Sequence, residues 1–158
     1  KWGLLRSAGW LVVTFARYRP ESWGNCTRPL GSRLWGMSVR GIRGATAMAC
    51  DDANEMAEAV VELLRRMLQD NSLSTDDLIS IFFTATPDLH CAFPAAAARA
   101  LPLADVPLIC AQEIDVAGAM PRVVRILIHA HSDIARSDIS HVYLRGTHVL
   151  RQDIETQP

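Results

Sequence analysis

The segment RVVRILIHAH, residues Arg122–His131, decides the fold class of this 158-residue chain. Its side chains alternate in character with a period of two, and successive side chains of a β-strand point to opposite faces of a sheet. The segment therefore predicts a strand with one core face and one wetter face. The core face is formed by Val124, Ile126, Ile128 and Ala130, and the wetter face by Arg125, Leu127, His129 and His131.

The segments around this strand predict the element order β-α-β-α-β-β-β. An amphipathic helix is expected over residues 53–70, after Asp52 and Glu55 in a pattern that resembles a capping box. The other expected elements are strands at 38–45 (closed by Gly44), 78–84, 106–114 and 141–144, a helix at 94–101 that begins at Pro94, and an extended segment at 147–150. This order predicts an α+β domain whose mixed sheet carries helices on one face. Since the other face also needs a cover, we expect the chain to oligomerise.

A change in composition separates residues 1–36 from residues 37–158. The first part holds six basic residues, one acidic residue and all four tryptophans. Its apolar run at Leu4–Tyr18 is shorter than the ~20 residues that a membrane span needs. Met37 stands directly before the first predicted strand, so we expect it to be the natural start and residues 1–36 to be a non-native or poorly ordered extension. A basic helix that touches a membrane surface is the alternative for this part.

Composition argues against several classes of function. Lys1 is the only lysine, so residues 37–158 offer no amine for Schiff-base chemistry. The same residues hold ten arginines and sixteen acidic residues, which argues against a nucleic-acid surface. The cysteines show no paired spacing, as is typical of free thiols in the reducing cytoplasm. His129 and His131 share a strand face without an evident third ligand, so we expect no metal and no cofactor.

Arginine is the residue type that remains to carry chemistry, because its guanidinium suits forked recognition of carboxylates. The chain has no dinucleotide fingerprint, P-loop, nucleophile elbow or H-E-x-x-H pattern. Cys110 and Glu113 lie at the end of the third predicted strand, where alternation places them on opposite faces unless the strand bulges or ends between them. The residues alone thus indicate a soluble α+β domain that binds an anion. The arginines on predicted elements are Arg43, Arg99, Arg125 and Arg151.

Four strings of the sequence resemble the AroH-type chorismate mutases. They are RGIRGAT at Arg40–Thr46, TATPDLHCAFPA at Thr84–Ala95, VPLICAQEIDV at Val106–Val116 and HVYLRGTHVLR at His141–Arg151. The resemblance runs from about Val39 to Asp153, with a short gap near Leu103–Asp105. It implies a Bacillus-type chorismate mutase-like fold that assembles as a homotrimer, similar to a pseudo-α/β barrel, with pockets between subunits. It also implies an isomerase that converts chorismate to prephenate in phenylalanine and tyrosine biosynthesis.

The resemblance further implies which residues form the site. Arg125 would face the ether oxygen, Arg43 would hold a carboxylate, and Glu113 would contact the ring hydroxyl and face the positive character growing on the ring, so these three are expected to be catalytic. The implied substrate-binding residues are Phe93, Ala95, Arg99, Cys110, Tyr143, Leu150 and Arg151. Two positions depart from the family pattern. Ala96 stands where relatives can carry lysine, and loss of this peripheral cation would weaken chorismate binding without removing the central chemistry. Ile109 stands where threonine can occur.

Two alternative functions stand beside this interpretation. A non-catalytic trimeric module that binds an aromatic-pathway metabolite and acts as a regulator is motivated by Ala96 and by the unusual N-terminal part. A trimeric deaminase-like or translation-inhibitor-like protein would share the gross architecture but not the four strings. Turnover of chorismate separates the first alternative from an enzyme, and activity on imines identifies the second.

Overall fold

The computed structural model describes residues 38–103 and 105–151. Its main elements are β1 (Ser38–Ala47), α1 (Ala53–Asp70), β2 (Leu78–Ala85), α2 (Pro94–Ala98), β3 (Leu108–Gln112), β4 (Val123–Ser132) and β5 (Val142–Tyr143). Short 3-10 helices occupy Thr75–Asp77, Arg136–Asp138 and Thr147–Arg151. The predicted α+β class and the predicted element order are confirmed. The predicted extension at residues 1–36 lies outside the described residues.

The five strands form one mixed sheet in the order β3-β2-β4-β1-β5. β4 lies at its centre and pairs antiparallel with both β1 and β2. The outer strands are parallel to their neighbours, β3 to β2 and β5 to β1. The strand predicted at 122–131 is thus the central strand. Its predicted core face is at most 2% exposed at Val124, Ile126, Ile128 and Ala130.

Helix α1 has the predicted bounds and covers one face of the sheet. Apolar side chains at helical spacing form its buried stripe, and burial of each such side chain contributes roughly 1.5–3 kcal/mol. These side chains are Met56, Val60, Leu63, Leu64 and Met67, all at most 1% exposed. The smaller α2 packs against α1 and against β2 and β3 on the same side. The prediction of helices on one face is therefore confirmed.

The N-terminus of α1 only partly follows the predicted capping box. The Asp52 carboxylate accepts hydrogen bonds from the N–H groups of Asn54 and Glu55, as an N-cap should. The Glu55 carboxylate does not return to the N–H of Asp52. It accepts instead from the N–H groups of Ala49 and Cys50, so it ties the chain between β1 and α1 to the first turn of the helix.

The prediction that Gly44 closes β1 is wrong, because the strand continues to Ala47. Its lack of a side chain serves packing. A Cβ built on Gly44 would overlap the Met67 Sδ and would lie 3.1 Å from Leu63 Cδ1. Glycine at this position therefore lets α1 approach the sheet closely.

We expect Gly44→Ala to lower the free energy of unfolding by about 1–3 kcal/mol, because the added methyl group overpacks a closed core. Gly41→Ala is the matched control on the same strand, since its Cβ would meet nothing closer than Leu127 Cδ1 at 3.8 Å. Urea unfolding of both variants measures the difference. Equal stabilities would show that α1 does not depend on close approach at Gly44.

Two other segments differ from the predicted structure. Helix α2 ends at Ala98 and not near residue 101, and the chain continues to Leu101 in tighter turns closed by i→i+3 hydrogen bonds. The segment Thr147–Arg151 is a 3-10 helix and not an extended segment. The Thr147 N–H closes this turn on the Leu144 carbonyl, and the buried Thr147 hydroxyl shares its one proton between the carbonyls of Leu144 and Ala45.

Among residues 38–103 and 105–151, no helix or strand covers the face of the sheet opposite α1 and α2. Large apolar side chains stand open on it, with Phe82 44% and Ile109 52% exposed. The prediction of a second face without a cover is thus confirmed. No helix within the described ranges is both long and apolar enough to cross a lipid bilayer.

Candidate active site

Strand register places the charged side chains of the open face side by side. One row across the sheet consists of Tyr143, Ala45, Arg125 and Thr84, each paired with the next. The adjacent row consists of Arg43, Leu127, Phe82 and Ile109. Because paired residues share a face, two arginines from different strands come together above a partly apolar floor.

A cavity of about 340 Å³ opens on this face. Five of the ten predicted site residues line it: Arg43, Arg125, Tyr143, Leu150 and Arg151. The remaining lining is Gly44, Ala45, Phe82, Thr84, Ile126 and Leu127. None of these lining residues is acidic, and three are arginines, so the cavity is suited to a small anion with an apolar body.

The 3-10 helix Thr147–Arg151 brings two of the lining residues to the cavity. Gly146 has a φ of 85°, a left-handed conformation that glycine adopts without strain, and it turns the chain back after β5. The Thr147 hydroxyl then fixes the helix to β1 at 2.9 Å from the Ala45 carbonyl oxygen. Leu150 and Arg151 follow on this anchored turn and complete the wall of the cavity.

Glu113 lies beside Arg125 and is tied to it. The Arg125 Nε and the Glu113 Oε1 form an ion pair at 3.0 Å, with the two side chains 46% and 17% exposed. The Thr84 hydroxyl donates to the same oxygen at 2.6 Å. Strand β3 ends at Gln112, so Glu113 follows the strand, with its N–H still bonded to the Ala85 carbonyl. Alternation separates it from Cys110, as the sequence indicated.

His141 is hydrogen-bonded to the backbone of Arg43. The His141 Nδ1 accepts a hydrogen bond from the Arg43 N–H at 3.2 Å. Burial lowers the pKa of His141, and the positive charges of Arg43 and Arg151 lower it further. The imidazole is therefore neutral near pH 7 and can act as an acceptor for the backbone beneath Arg43.

We expect the contribution of His141 to stability to be lost on acidification. Its folded-state pKa lies below the ordinary value of 6.5, so unfolded chains bind the additional proton first. The contribution is complete above about pH 6.5 and falls as the pH drops through the folded-state pKa. Urea unfolding of the unsubstituted protein and of His141→Asn from pH 7.5 to pH 5 measures it. A difference between the two proteins that does not change with pH would contradict this expectation.

A second group of predicted residues lies around a different cavity, of about 480 Å³. Phe93 and Cys110 line it, and the Ala95 N–H donates to the Cys110 Sγ at 3.3 Å. Phe93 precedes α2 and is 75% exposed. Its loop is held by Asp51, whose carboxylate accepts from two consecutive N–H groups of the loop, each at 3.0 Å.

The single chain thus divides the predicted site residues into two groups. Arg43, Arg125, Tyr143, Leu150 and Arg151 surround one cavity, with Glu113 at its edge. Phe93, Ala95 and Cys110 lie together at the other. Arg99 is exposed after α2 and lines neither of the two cavities. Of the two departures from the family pattern, Ala96 is exposed on α2 and Ile109 lies in the row of Arg43.

The arginines of the first cavity suit the site to stabilising negative charge, whereas the described side chains are poorly suited to nucleophilic attack. Burial and the hydrogen bond that the thiol donates to the Asp51 carboxylate raise the pKa of Cys91 to about 11, so this cysteine is protonated at neutral pH. His129, one of the two histidines considered as metal ligands, is hydrogen-bonded to Ser80 Oγ at 3.0 Å. Within residues 38–103 and 105–151, no three His, Cys, Asp or Glu side chains are grouped as metal ligands.

Sequence reasoning did not predict six lining residues of the first cavity, among them Phe82 and Thr84 of β2. Alternation within LISIFFT assigns them to the face opposite Ile81 and Phe83, and that signal was available. Their position beside Arg125 and Leu127 depends on the pairing of β2 with β4, which one strand does not reveal.

Comparison with known proteins identifies a family whose sequences this chain matches. The family described as chorismate mutase type I matches residues 39–154. The chain is 38% identical to chorismate mutase AroH of Bacillus subtilis over 119 residues, which is 75% of this chain and 94% of that protein. It is 43% identical to chorismate mutase AroH of Thermus thermophilus over 119 residues, with 75% and 98% covered. A solved chorismate mutase from Clostridium thermocellum is similar with a TM-score of 0.68 and 43% identity, over 70% of this chain and 98% of that one.

Proposed function

The chain belongs to the chorismate mutase type I family, and we propose that it converts chorismate to prephenate by fixed arginine charges and by selection of the reactive conformer. Its function is that of a chorismate mutase, an isomerase. One observation carries the mechanistic part of the proposal. Three arginines and Tyr143 converge on a single cavity, and Glu113 is paired with the central arginine.

The chemistry of the reaction calls for such a site. Chorismate rearranges in one concerted step, with neither a covalent intermediate nor an obligatory proton transfer. The protein must hold the compact diaxial conformer and stabilise the charge that separates as the C–O bond breaks. Two carboxylates on the substrate require several cations. A cavity rich in arginine, with no cysteine, serine, histidine, lysine or carboxylate among its lining residues, meets these needs.

Arg125 is assigned to the ether oxygen, where negative charge develops. Arg125 is the third residue of β4, the central strand, and pairing with β1 and β2 fixes its backbone on both sides. Arg43 and Tyr143 hold the carboxylates from the neighbouring strands. Leu150 contributes to the shape of the cavity, and Arg151 attracts the substrate and closes the wall.

Glu113 and Cys110 are assigned to the ring hydroxyl, and Glu113 also faces the positive character on the ring. Because Cys110 lies with Phe93 and Ala95 at the other cavity, one chain does not supply all these contacts to one substrate. We propose that a second copy of the chain brings them, in a homotrimer whose clefts lie between subunits. The exposed Phe82, Ile109 and Phe93 support this assembly, since apolar side chains at these positions need a cover.

The size of the effect is adequate for a modest enzyme. Such an enzyme lowers the barrier by about 8 kcal/mol. One well-aimed donor to developing charge contributes roughly 3–4 kcal/mol. Arg125 would thus supply a large part of the required stabilisation, and restriction of the substrate to its reactive conformer would supply most of the rest.

We assign the catalytic domain to residues 37–158 and regard residues 1–36 as an extension that catalysis does not require. The family match over residues 39–154 supports this division. A cytoplasmic location is also proposed. Its support is that Cys50, Cys91 and Cys110 are free thiols, a state that reducing compartments maintain.

Loss of chorismate absorbance, followed with purified protein, tests the proposed function. We expect turnover by the full chain and equal turnover by a chain that begins at Met37. Binding of chorismate without turnover would instead favour a metabolite-binding regulator. A strong loss of activity on removal of residues 1–36 would show that the catalytic domain extends into that part.

A further inference from the structure

Among the described residues, the hydrogen bond and the ion pair of the Glu113 carboxylate both involve the same oxygen. The Oε1 atom accepts from the Thr84 hydroxyl at 2.6 Å and pairs with the Arg125 Nε at 3.0 Å. Among the described residues, no side chain or backbone group is bonded to Oε2. The carboxylate is therefore anchored through one oxygen, and its other oxygen is left for a ligand.

The guanidinium of Arg125 also contacts its partner through one of its atoms. It approaches the Glu113 carboxylate through Nε, and within the described ranges its two terminal nitrogens donate no hydrogen bond to another residue. An arginine beside a carboxylate ordinarily prefers a two-pronged pair that engages two nitrogens and both oxygens. Such a pair would turn the terminal N–H groups of Arg125 towards Glu113 and away from a substrate.

Thr84 is placed to prevent that pair. It is paired with Arg125 across β2 and β4, so both side chains rise from the same face of the sheet. As a β-branched residue it has few side-chain rotamers, and its hydroxyl is therefore a stiff donor. Glu113, by contrast, follows the last residue of β3, and its side chain has no ladder partner to orient it.

We propose that Thr84 is a positioning residue, which fixes Glu113 through Oε1 and thereby leaves Glu113 Oε2 and the terminal nitrogens of Arg125 directed at the substrate. This inference rests on the proposed function. A hydroxyl suits the task because it donates to the carboxylate without adding a charge that would compete with the arginines. Thr84 acts through Glu113 and Arg125 and takes no part in bond making or breaking.

The test compares Thr84→Val, which keeps the shape and removes the hydroxyl, with Thr84→Ser, which keeps the hydroxyl. We expect Thr84→Val to lower kcat about 10-fold or more, since a hydrogen bond to a charged group is lost, while KM changes less than about 3-fold. Thr84→Ser should restore kcat to within about 3-fold of the unsubstituted protein. Ser80→Ala is the matched control. It also removes a hydroxyl from this face of β2, but the Ser80 hydroxyl is bonded to His129 and not to Glu113. Its kcat should be unchanged.

A double-substitution cycle separates positioning from a general effect on structure. If Thr84 acts through Glu113, then adding Thr84→Val to Glu113→Ala, which removes the acceptor of the Thr84 hydroxyl, should lower kcat by less than about 2-fold further. Additive losses, or a Thr84→Val protein with unaltered kcat, would overturn the inference while the proposed function stands. An unsubstituted protein without turnover would overturn the proposed function and the inference with it. Thermal unfolding of each variant shows whether the fold is kept.

Discussion

Arg125→Ala is expected to lower kcat by about 10²–10³-fold or more, because the variant lacks the donor that we propose for the ether oxygen. The fold should persist. The Arg125 side chain is 46% exposed on the open face of the sheet, and the strand around it is held by buried neighbours that the substitution leaves in place. Turnover of chorismate by the purified variant, with thermal unfolding as a check of the fold, measures the effect.

Arg125→Lys should be nearly as damaging, although the charge is kept. An ammonium group is a single point charge, and it offers no Nε to pair with Glu113 while further N–H groups face the substrate. Arg66→Ala is the matched control, since it removes an arginine whose partner Asp70, at 2.8 Å, lies on the outer side of α1. Near-normal turnover in either Arg125 variant would refute the role given to this residue.

Much of the fold follows from the periodicity of the sequence. The bounds of α1 agree with the prediction because six apolar residues recur at helical spacing behind a good N-cap. The central strand β4 agrees because its two faces differ so clearly in polarity. Periodicity does not predict which residues of elements far apart in the sequence contact each other. The role of Gly44 depends on Met67 in a helix, and the turn at Thr147 depends on a carbonyl of β1.

The candidate site was predictable to a smaller extent. Arg125 attracts notice as a charge in an apolar strand, but the resemblance to a family was needed to connect it with Glu113 and Tyr143. The ion pair of Arg125 with Glu113 and the hydroxyl of Thr84 depend on the pairing of β2 with β3 and β4. No spacing along the chain encodes these contacts, because Thr84 and Arg125 lie on two different strands and Glu113 follows the end of a third.

Mixing two defective variants is expected to restore activity, and this is the second large effect. One variant is Arg125→Ala, which damages the first cavity. The other combines Phe93→Ala with Arg99→Ala, two exposed residues whose loss should spare the fold. If each cleft takes Arg125 from one copy and Phe93 and Arg99 from its neighbour, about a quarter of the clefts in a random mixture are intact on both sides.

The central claim is that arginines of one copy and the Phe93 region of another share a cleft. The most direct test unfolds the two variants, refolds them together and then measures chorismate turnover. Each variant alone should retain at most a few per cent of normal turnover, and the mixture should recover about a quarter of it. Variants mixed without exchange of subunits provide the baseline. A co-refolded mixture no more active than the mean of its two components would contradict the claim.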